Sequence, residues 1–229
     1  MTLDQLLFGY FPYLALLLAI VVTAIRWRQH PYSVTSLSSQ LLERRKLAWG
    51  STPFHLGILV VLAGHLVAFL FPRSVLAWNG EPVRLVILQV TALAFGLFCL
   101  FGLAMLIWRR ASEPRLHRVT SAMDAVVLGL LLVSVVTGLI TSIFFRWGTS
   151  WFAEVASPYL WSLVWLDPRP ELLAGLPFFV QVHIFNSFLL LAVFPFTRLV
   201  HAITVPLGYL ARPWQIVIAN RRGRGTGNR

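Results

Sequence analysis

Long runs of apolar residues alternate with short polar and basic segments along the 229-residue chain. Such a run can cross the hydrocarbon core of a bilayer as a helix when it reaches about 20 residues. None of the runs shows the two-residue alternation of a β-barrel strand, which needs only about 10 residues. The pattern predicts an all-α integral membrane protein, a single-domain bundle (1–229) of five transmembrane helices, with spans at about 6–25, 54–71, 83–107, 124–145 and 177–203.

Composition and charge strengthen this prediction. Hydrophobic residues make up 58% of the chain and charged residues 12%, whereas about a quarter of the residues in soluble domains are charged. The net charge of +11 reflects 19 Lys and Arg residues against 8 Asp and Glu residues. All but four of the basic residues lie after spans 1 and 3 or from the end of span 5 onward. By the positive-inside rule, the N-terminus is outside and the C-terminus is cytoplasmic. The bases therefore indicate membrane topology and lipid contact, and we expect no nucleic-acid partner.

The remaining segments carry smaller predictions. We expect the first span to stay uncleaved, because its N-terminal flank has an acid and no base, and we expect 206–229 to be a cytoplasmic tail with a disordered end. The Ser-Thr-Pro sequence at 51–53 predicts a helix start. The Trp- and Pro-rich stretch 146–176 predicts a segment in the membrane interface rather than a sixth span. Asp124 opens span 4, where a carboxylate at a helix N-terminus is stabilising.

Four histidines lie in the apolar segments: His55 and His65 in span 2, and His183 and His201 in span 5. Ionisable groups inside a membrane are costly and by default indicate function. Histidine is the usual axial ligand of haem, and two ligands per iron let four side chains hold two haems. A zinc site favours tighter spacings, often with a carboxylate or thiolate. We therefore predict two haem groups held between helices 2 and 5.

The direction of the spans predicts how the histidines pair. Span 2 runs outward and span 5 inward, so His55 faces His201 near the cytoplasm and His65 faces His183 toward the outside. At 1.5 Å per residue, the spacing is about 15 Å in span 2 and about 27 Å in span 5. Straight parallel helices cannot satisfy both spacings. We expect span 5 to tilt, to bend at Pro195, or to do both.

The stretches PFHLGILVVLAGH, SSQLLERR, EPRLHRVT and FPFTRLVHAITVPLGYLAR resemble the gamma subunit of membrane-bound respiratory nitrate reductase, a di-haem cytochrome b. The resemblance covers nearly the whole chain and includes both histidine spacings. It implies a multi-pass protein of the bacterial cytoplasmic (inner) membrane that oxidises menaquinol or ubiquinol near the outer haem. Electrons then pass through the inner haem to an iron–sulfur beta subunit and a molybdenum catalytic alpha subunit in the cytoplasm, where nitrate is reduced. The chain itself is then the quinol-oxidising subunit and does not carry the nitrate-reducing site.

The resemblance also implies roles for individual residues. His65 and His183 correspond to the ligands of the distal haem, and His55 and His201 to those of the proximal haem. The family has a lysine associated with the quinol site, and the position aligned through Pro72 and Trp78 is Arg84, which keeps the charge but is a bulkier donor. Arg84 is therefore a quinol-site candidate or an interfacial base.

Two further residues stand beside the histidines in the sequence. Gly64 precedes His65 and is a second quinol-site candidate, or serves helix packing alone. Arg198, three residues before His201, lies on roughly the same helix face. We expect Arg198 to pair with a haem propionate or a partner subunit, or to be an interfacial cation.

Alternative functions remain open at this point. A di-haem quinol-oxidising anchor of another respiratory complex, in nitrite or sulfur metabolism, would carry the same histidines. A proton or ion transporter could use them as a relay, although the chain shows no repeated halves. A structural anchor without a cofactor is the third alternative. The basic link after span 1 is either a solvated charge run or a docking face for a partner.

Overall fold

A computed structural model describes residues 2–29, 45–117, 119–145 and 148–202. The predicted tail at 206–229 and most of the basic link after span 1 lie outside these residues. The described helices are α1 (Phe11–Gln29, preceded by a π-helical stretch, Gln5–Tyr10), α2 (Arg45–Leu70), α3 (Pro72–Asn79), α4 (Pro82–Ser112), α5 (Pro114–His117), α6 (Ala122–Phe144), α7 (Gly148–Trp151), α8 (Ser157–Val164) and α9 (Phe178–Val193). A π-helical stretch, Phe152–Ala156, joins α7 to α8, and 3-10 turns cover Pro170–Leu173, Phe194–Phe196 and Arg198–Ala202.

Five helical segments of the described chain are long and apolar enough to cross a membrane: Gln5–Gln29, Leu47–Leu70, Pro82–Ser112, Ala122–Phe144 and Phe178–Phe196. This confirms the predicted number of spans, and the described ranges contain no β-strand. In the bundle, α2 packs along α4, α4 against α6, α6 against α9, and α9 against α1. Within the described ranges α2 and α9 have no comparable packing interface, although α2 carries two of the histidines and α9 with the turn after it carries the other two.

Glycines allow α2 and α4 to approach closely. A Cβ added at Gly57 would lie 2.6 Å from the Cys99 backbone nitrogen, and one at Gly102 would lie 2.7 Å from the Phe54 Cα. The hydrophobic effect does little to hold helices together in lipid, so their association depends on close van der Waals packing. Small residues at the interface allow the backbones to approach closely enough for it. Gly102 thus serves close packing, and α4 supports the helix that carries His55 and His65.

The second span begins earlier than predicted. The sequence at 51–53 suggested a helix start, but α2 begins at Arg45 and Pro53 lies inside it. An internal proline removes one helix hydrogen bond and costs about 3 kcal/mol. Here the packing on α4 continues past the proline, with Phe54 buried against Leu103. Tertiary packing therefore keeps the chain helical where the local signal predicted an end.

The fifth span ends earlier than predicted. The α-helix stops at Val193, the 3-10 turn Phe194–Phe196 follows, and Thr197 is extended (φ −119°, ψ 177°). Pro195 lacks an N–H and its ring clashes with the preceding turn, which favours an end to the helix here. Arg26 of α1 donates to the backbone carbonyls of Pro195 and Thr197. These bonds satisfy backbone groups that lipid could not satisfy.

The break at Pro195 also changes the geometry expected for the histidines. A continuous helix would have placed His183 and His201 on one face, about 27 Å apart along its axis. Instead, His183 lies in α9 and His201 lies in the 3-10 turn Arg198–Ala202. The expected departure from a straight helix at Pro195 is confirmed, and it takes the form of a helix end.

The stretch 148–176 forms a folded cap on one end of the bundle. None of its described helices is long enough to span a membrane, as predicted, but the stretch is more deeply packed than an interfacial segment. The Tyr159 side chain is fully buried, and its hydroxyl donates to the Phe8 carbonyl at 2.8 Å. Ser157 and Trp161 donate to the carbonyls of Ala68 and Phe69 at the end of α2. We call this end of the bundle the Tyr159 end.

Candidate functional site

The first histidine pair joins α2 to the turn that follows the break in span 5. The ring centroids of His55 and His201 lie 6.3 Å apart, with an angle of 64° between the ring planes. The two residues come from segments with little direct packing, and the break at Pro195 positions the turn that carries His201. The structure therefore brings together two residues that are 146 positions apart in sequence.

The second pair lies nearer the Tyr159 end. The ring centroids of His65 and His183 are 6.4 Å apart, with an interplanar angle of 31°. The Phe152 ring, from the cap, meets the His65 ring edge-on at 4.8 Å. Because α2 is a continuous helix between its two histidines, the pairs are separated by about 15 Å along its axis. The pairs are those expected from antiparallel spans; iron ligation by them stays a prediction.

Each of the four imidazoles has its Nδ1 within hydrogen-bonding distance of a backbone carbonyl. The acceptors are Ser51 for His55, Val61 for His65, Ser134 for His183 and Arg198 for His201. In a neutral imidazole, donation from Nδ1–H leaves the lone pair on Nε2, and this arrangement is typical of metal-ligating histidines. The hydrogen bonds thus favour the tautomer in which Nε2 is the metal-binding atom.

The separation within each pair fits two ligands on opposite sides of one metal ion. A ring nitrogen lies about 1.1 Å from the imidazole centroid and metal–nitrogen bonds are about 2.0–2.1 Å, so the centroids of two opposed ligands are about 6.3 Å apart. The observed distances are 6.3 and 6.4 Å. Among the described residues, no group of three or more His, Cys, Asp or Glu side chains could hold a metal ion. Histidine is the usual haem ligand, so the two imidazoles of each pair are a donor set that fits a haem.

A charged cluster lies beside the first pair. The Asp124 carboxylate is 8% exposed and binds Arg110 at 3.0 Å and Arg198 at 3.1 Å. Asp124 and Ser121 also form a capping box at the start of α6, in agreement with the structural role expected at this position. Arg198 was predicted to pair with a propionate or a partner subunit, or to be an interfacial cation, and Asp124 is a partner that the sequence did not suggest. The propionate role of Arg198 stays a prediction.

The two quinol-site candidates lie in different surroundings. Arg84 is exposed near the start of α4, with its guanidinium carbon 5.1 Å from the centroid of the Trp78 ring. This is a cation–π contact and is compatible with an interfacial base. A Cβ at Gly64 would meet no atom within 4 Å, so open space adjoins the backbone next to His65. A role of Arg84 or Gly64 in quinol binding stays a prediction.

Sequence reasoning missed the polar residues through which α6 holds His183. The Thr137 hydroxyl lies 3.0 Å from His183 Nδ1. Asn186, one turn after His183 and 4% exposed, donates to the Leu130 carbonyl of α6 at 2.9 Å. The available signal was the presence of hydroxyl and amide side chains inside these two spans, since buried polar groups need partners.

The fold and the site define a helical membrane protein with two histidine pairs held between separate segments of the bundle. A family model described as the nitrate reductase gamma subunit matches residues 4–220. The chain belongs to this family, as the resemblance in its sequence motifs implied.

Similar proteins include complete gamma chains and a longer protein. The nitrate reductase gamma chain of Bacillus subtilis is 32% identical over 93% of this chain and 96% of its own length. The respiratory nitrate reductase 1 gamma chain of Escherichia coli is 29% identical over 95% of this chain and 98% of its own length. The nitrate reductase-like protein NarX of Mycobacterium tuberculosis is 32% identical over 97% of this chain. The match spans only 36% of the length of NarX.

Proposed function

We propose that the chain is the membrane-anchoring, quinol-oxidising di-haem subunit of a nitrate reductase complex. His65 and His183 would hold one haem b, and His55 and His201 the other. When bound, haem supplies one-electron redox chemistry, and two haems at different depths would connect the two ends of the bundle electrically. The observation that carries the proposal is the repeated pairing of imidazoles, because both centroid distances are close to the separation of two imidazoles that bind one metal ion.

The histidine residues would contribute more than coordination bonds. Each Nδ1–H is engaged by a backbone carbonyl, so the ring is held in one tautomer and its Nε2 becomes a stronger electron donor. Each haem would be held by two such imidazoles and would supply one-electron transfer, with His65 and His183 holding one haem and His55 and His201 the other. This arrangement suits electron transfer rather than the binding of a small substrate at iron.

Quinol oxidation is proposed at the pair nearer the Tyr159 end. His65 is exposed within the chain, open space lies next to Gly64, and Arg84 lies on the adjoining helix α4. A quinol losing two electrons must also release two protons. If the Tyr159 end faces outward, as the charge distribution predicts, protons leave outside while electrons move inward. Each charge moved across 100 mV corresponds to about 2.3 kcal/mol.

The partners follow from family membership and from the predicted topology. Relatives of this chain are named as gamma chains of nitrate reductases, and we propose an iron–sulfur beta subunit and a molybdenum-containing alpha subunit as the partners here. They would dock at the end that carries Asp124, Arg110 and Arg198, which the positive-inside rule places in the cytoplasm. Nitrate would then be reduced by the alpha subunit and not by this chain.

The proposal is tested by replacing one ligand and one unrelated histidine. We expect His65→Ala to lower the haem content from two groups per chain to one and to abolish quinol oxidation, because an axial ligand is lost. His117→Ala, in the link between spans 3 and 4, is the matched control and should keep both haems. The measurement is the reduced-minus-oxidised difference spectrum of purified membranes, normalised to protein. A full low-spin complement in His65→Ala would show that the ligand assignment is wrong.

A further inference from the structure

Helix α6 contains no histidine, yet it holds one of the four imidazoles. His55, His65 and His201 direct Nδ1 toward carbonyls of their own helix or turn. His183 instead directs Nδ1 across to α6, where the Ser134 carbonyl accepts at 2.9 Å. The orientation of the His183 ring therefore depends on a neighbouring helix.

Thr137 supplies a second acceptor for the same hydrogen. Its side chain is 6% exposed, and its hydroxyl donates to the Val133 carbonyl at 2.6 Å. Because that short bond takes the hydroxyl hydrogen, the oxygen faces His183 as an acceptor, 3.0 Å from Nδ1. The His183 Nδ1–H is thus shared between a backbone carbonyl and a hydroxyl oxygen, both from α6.

Gly138, the next residue, makes room for the ring. A Cβ at this position would lie 3.2 Å from His183 Cε1 and 3.6 Å from Nδ1. The first distance is tighter than ordinary van der Waals contact, so any side chain here would displace the imidazole. Asn186 sets the register between the helices, because its amide donates to the Ser134 hydroxyl at 2.6 Å and the Leu130 carbonyl at 2.9 Å.

We propose that Thr137 and Gly138 form a positioning slot on α6 that sets the orientation of His183 and the electron donation of its Nε2. The inference rests on the proposed function, since it concerns the ligand strength of His183 toward a bound haem. Hydrogen bonds to the second nitrogen of a ligating imidazole raise its basicity, and their loss changes metal affinity or activity about 10–100-fold. The slot makes the haem held by His65 and His183 sensitive to Thr137 and Gly138, while the haem held by His55 and His201 is not sensitive to these two residues.

Threonine substitutions on α6 provide a matched test. Thr137→Val keeps the shape and removes one acceptor of His183 Nδ1–H. Thr141→Val is the control, because Thr141 lies one turn away and bonds a backbone carbonyl four residues earlier in the same manner. The measurements, on the complex purified from membranes, are the low-spin electron paramagnetic resonance spectrum and the midpoint potential of each haem.

In Thr137→Val we expect one of the two low-spin signals to move and the potential of that haem to rise, because a weaker donor stabilises oxidised iron less. A tenfold change in the balance between the oxidised and reduced forms corresponds to about 59 mV for one electron, and the shift should not exceed this, since the Ser134 carbonyl remains. Thr137→Ser keeps the hydroxyl and should return the spectrum toward wild type. Thr141→Val should match wild type.

Alanine substitutions test the space that the slot provides. Gly138→Ala should broaden or move the same low-spin signal by displacing the His183 ring. Gly129→Ala, on the same helix, adds a Cβ that would meet no atom within 4 Å, and it should leave both signals unchanged. The slot is overturned if the wild-type complex holds two haems but Thr137→Val is indistinguishable from Thr141→Val, or if Thr137→Val shifts both haems equally. Either result leaves the proposed function standing. A wild-type protein without haem overturns the proposed function itself.

Discussion

Gly102→Ala tests how the packing of α2 on α4 positions the first histidine pair. The added Cβ would lie 2.7 Å from both the Phe54 Cα and the Gly50 carbonyl oxygen, and closer still to the Phe54 backbone nitrogen. Ordinary contact begins at 3.4 Å, so α2 and α4 must separate by about 0.7 Å or more at this point. All three obstacles are backbone atoms, which cannot rotate away as a side chain can.

The displacement occurs next to His55. Metal–ligand distances in working sites vary by only about 0.2 Å, so a shift of about 0.7 Å in α2 at Phe54 exceeds what the His55–His201 pair can absorb. We expect Gly102→Ala to weaken binding of the haem held by this pair more than binding of the other. Overpacking also costs about 1–3 kcal/mol, and we expect the upper end because the clash is with backbone.

The assay combines haem content per chain with the thermal unfolding midpoint of the detergent-purified protein. Gly129→Ala is the control, since its Cβ would enter open space. If Gly102→Ala kept two haems and the unfolding midpoint of Gly129→Ala, the close approach of α2 and α4 would not govern the first pair, and the reasoning would be refuted.

Two substitutions test the ends of the bundle through thermal unfolding. Asp124→Asn removes the anion shared by two partly buried arginines and should destabilise the protein by about 1–3 kcal/mol, less than the full cost of breaking a buried pair. Asp167→Asn, which breaks an exposed pair, should cost at most about 1 kcal/mol. If the two substitutions lowered the unfolding midpoint equally, the stabilising role given to Asp124 would be contradicted. Tyr159→Phe leaves the Phe8 carbonyl without its donor and should cost about 1–3 kcal/mol, whereas Tyr10→Phe, at an exposed site, should be neutral. Burial raises the pKa of Tyr159 above its ordinary 10.0, so its contribution to the stability of the fold is complete below pH 10 and declines above it. If the loss of stability above pH 10 were the same in Tyr159→Phe as in the wild type, this reasoning would be contradicted.

The helices were predictable because the bilayer imposes a simple requirement on length and polarity. In lipid, the backbone N–H and C=O groups of a run of about 20 apolar residues must hydrogen-bond within the run. Five such runs accordingly form five helices in the described part of the chain. The histidine pairs also followed from the sequence, since antiparallel spans bring the first histidine of one near the last of the other. The spacing mismatch pointed to Pro195, where the helix ends.

The misplaced boundaries and the missed contacts arise from tertiary packing. Pro53 is a good local signal for a helix start, but packing on α4 carries α2 through it. The apolar pattern continues past Pro195, so it concealed the end of α9 and the bonds from Arg26. Thr137 looked like a helix residue among apolar neighbours, because only the α6–α9 interface reveals that it faces His183. Contacts between distant segments are absent from any local pattern.

The central claim is that the four histidines form two haem sites. A pyridine haemochrome measurement on the purified, full-length chain counts bound haem b directly and is independent of partners, quinone and electron acceptor. We predict two haems b per chain. One haem would contradict the assignment of one histidine pair, and a protein that binds none when produced with ample haem would contradict the account as a whole.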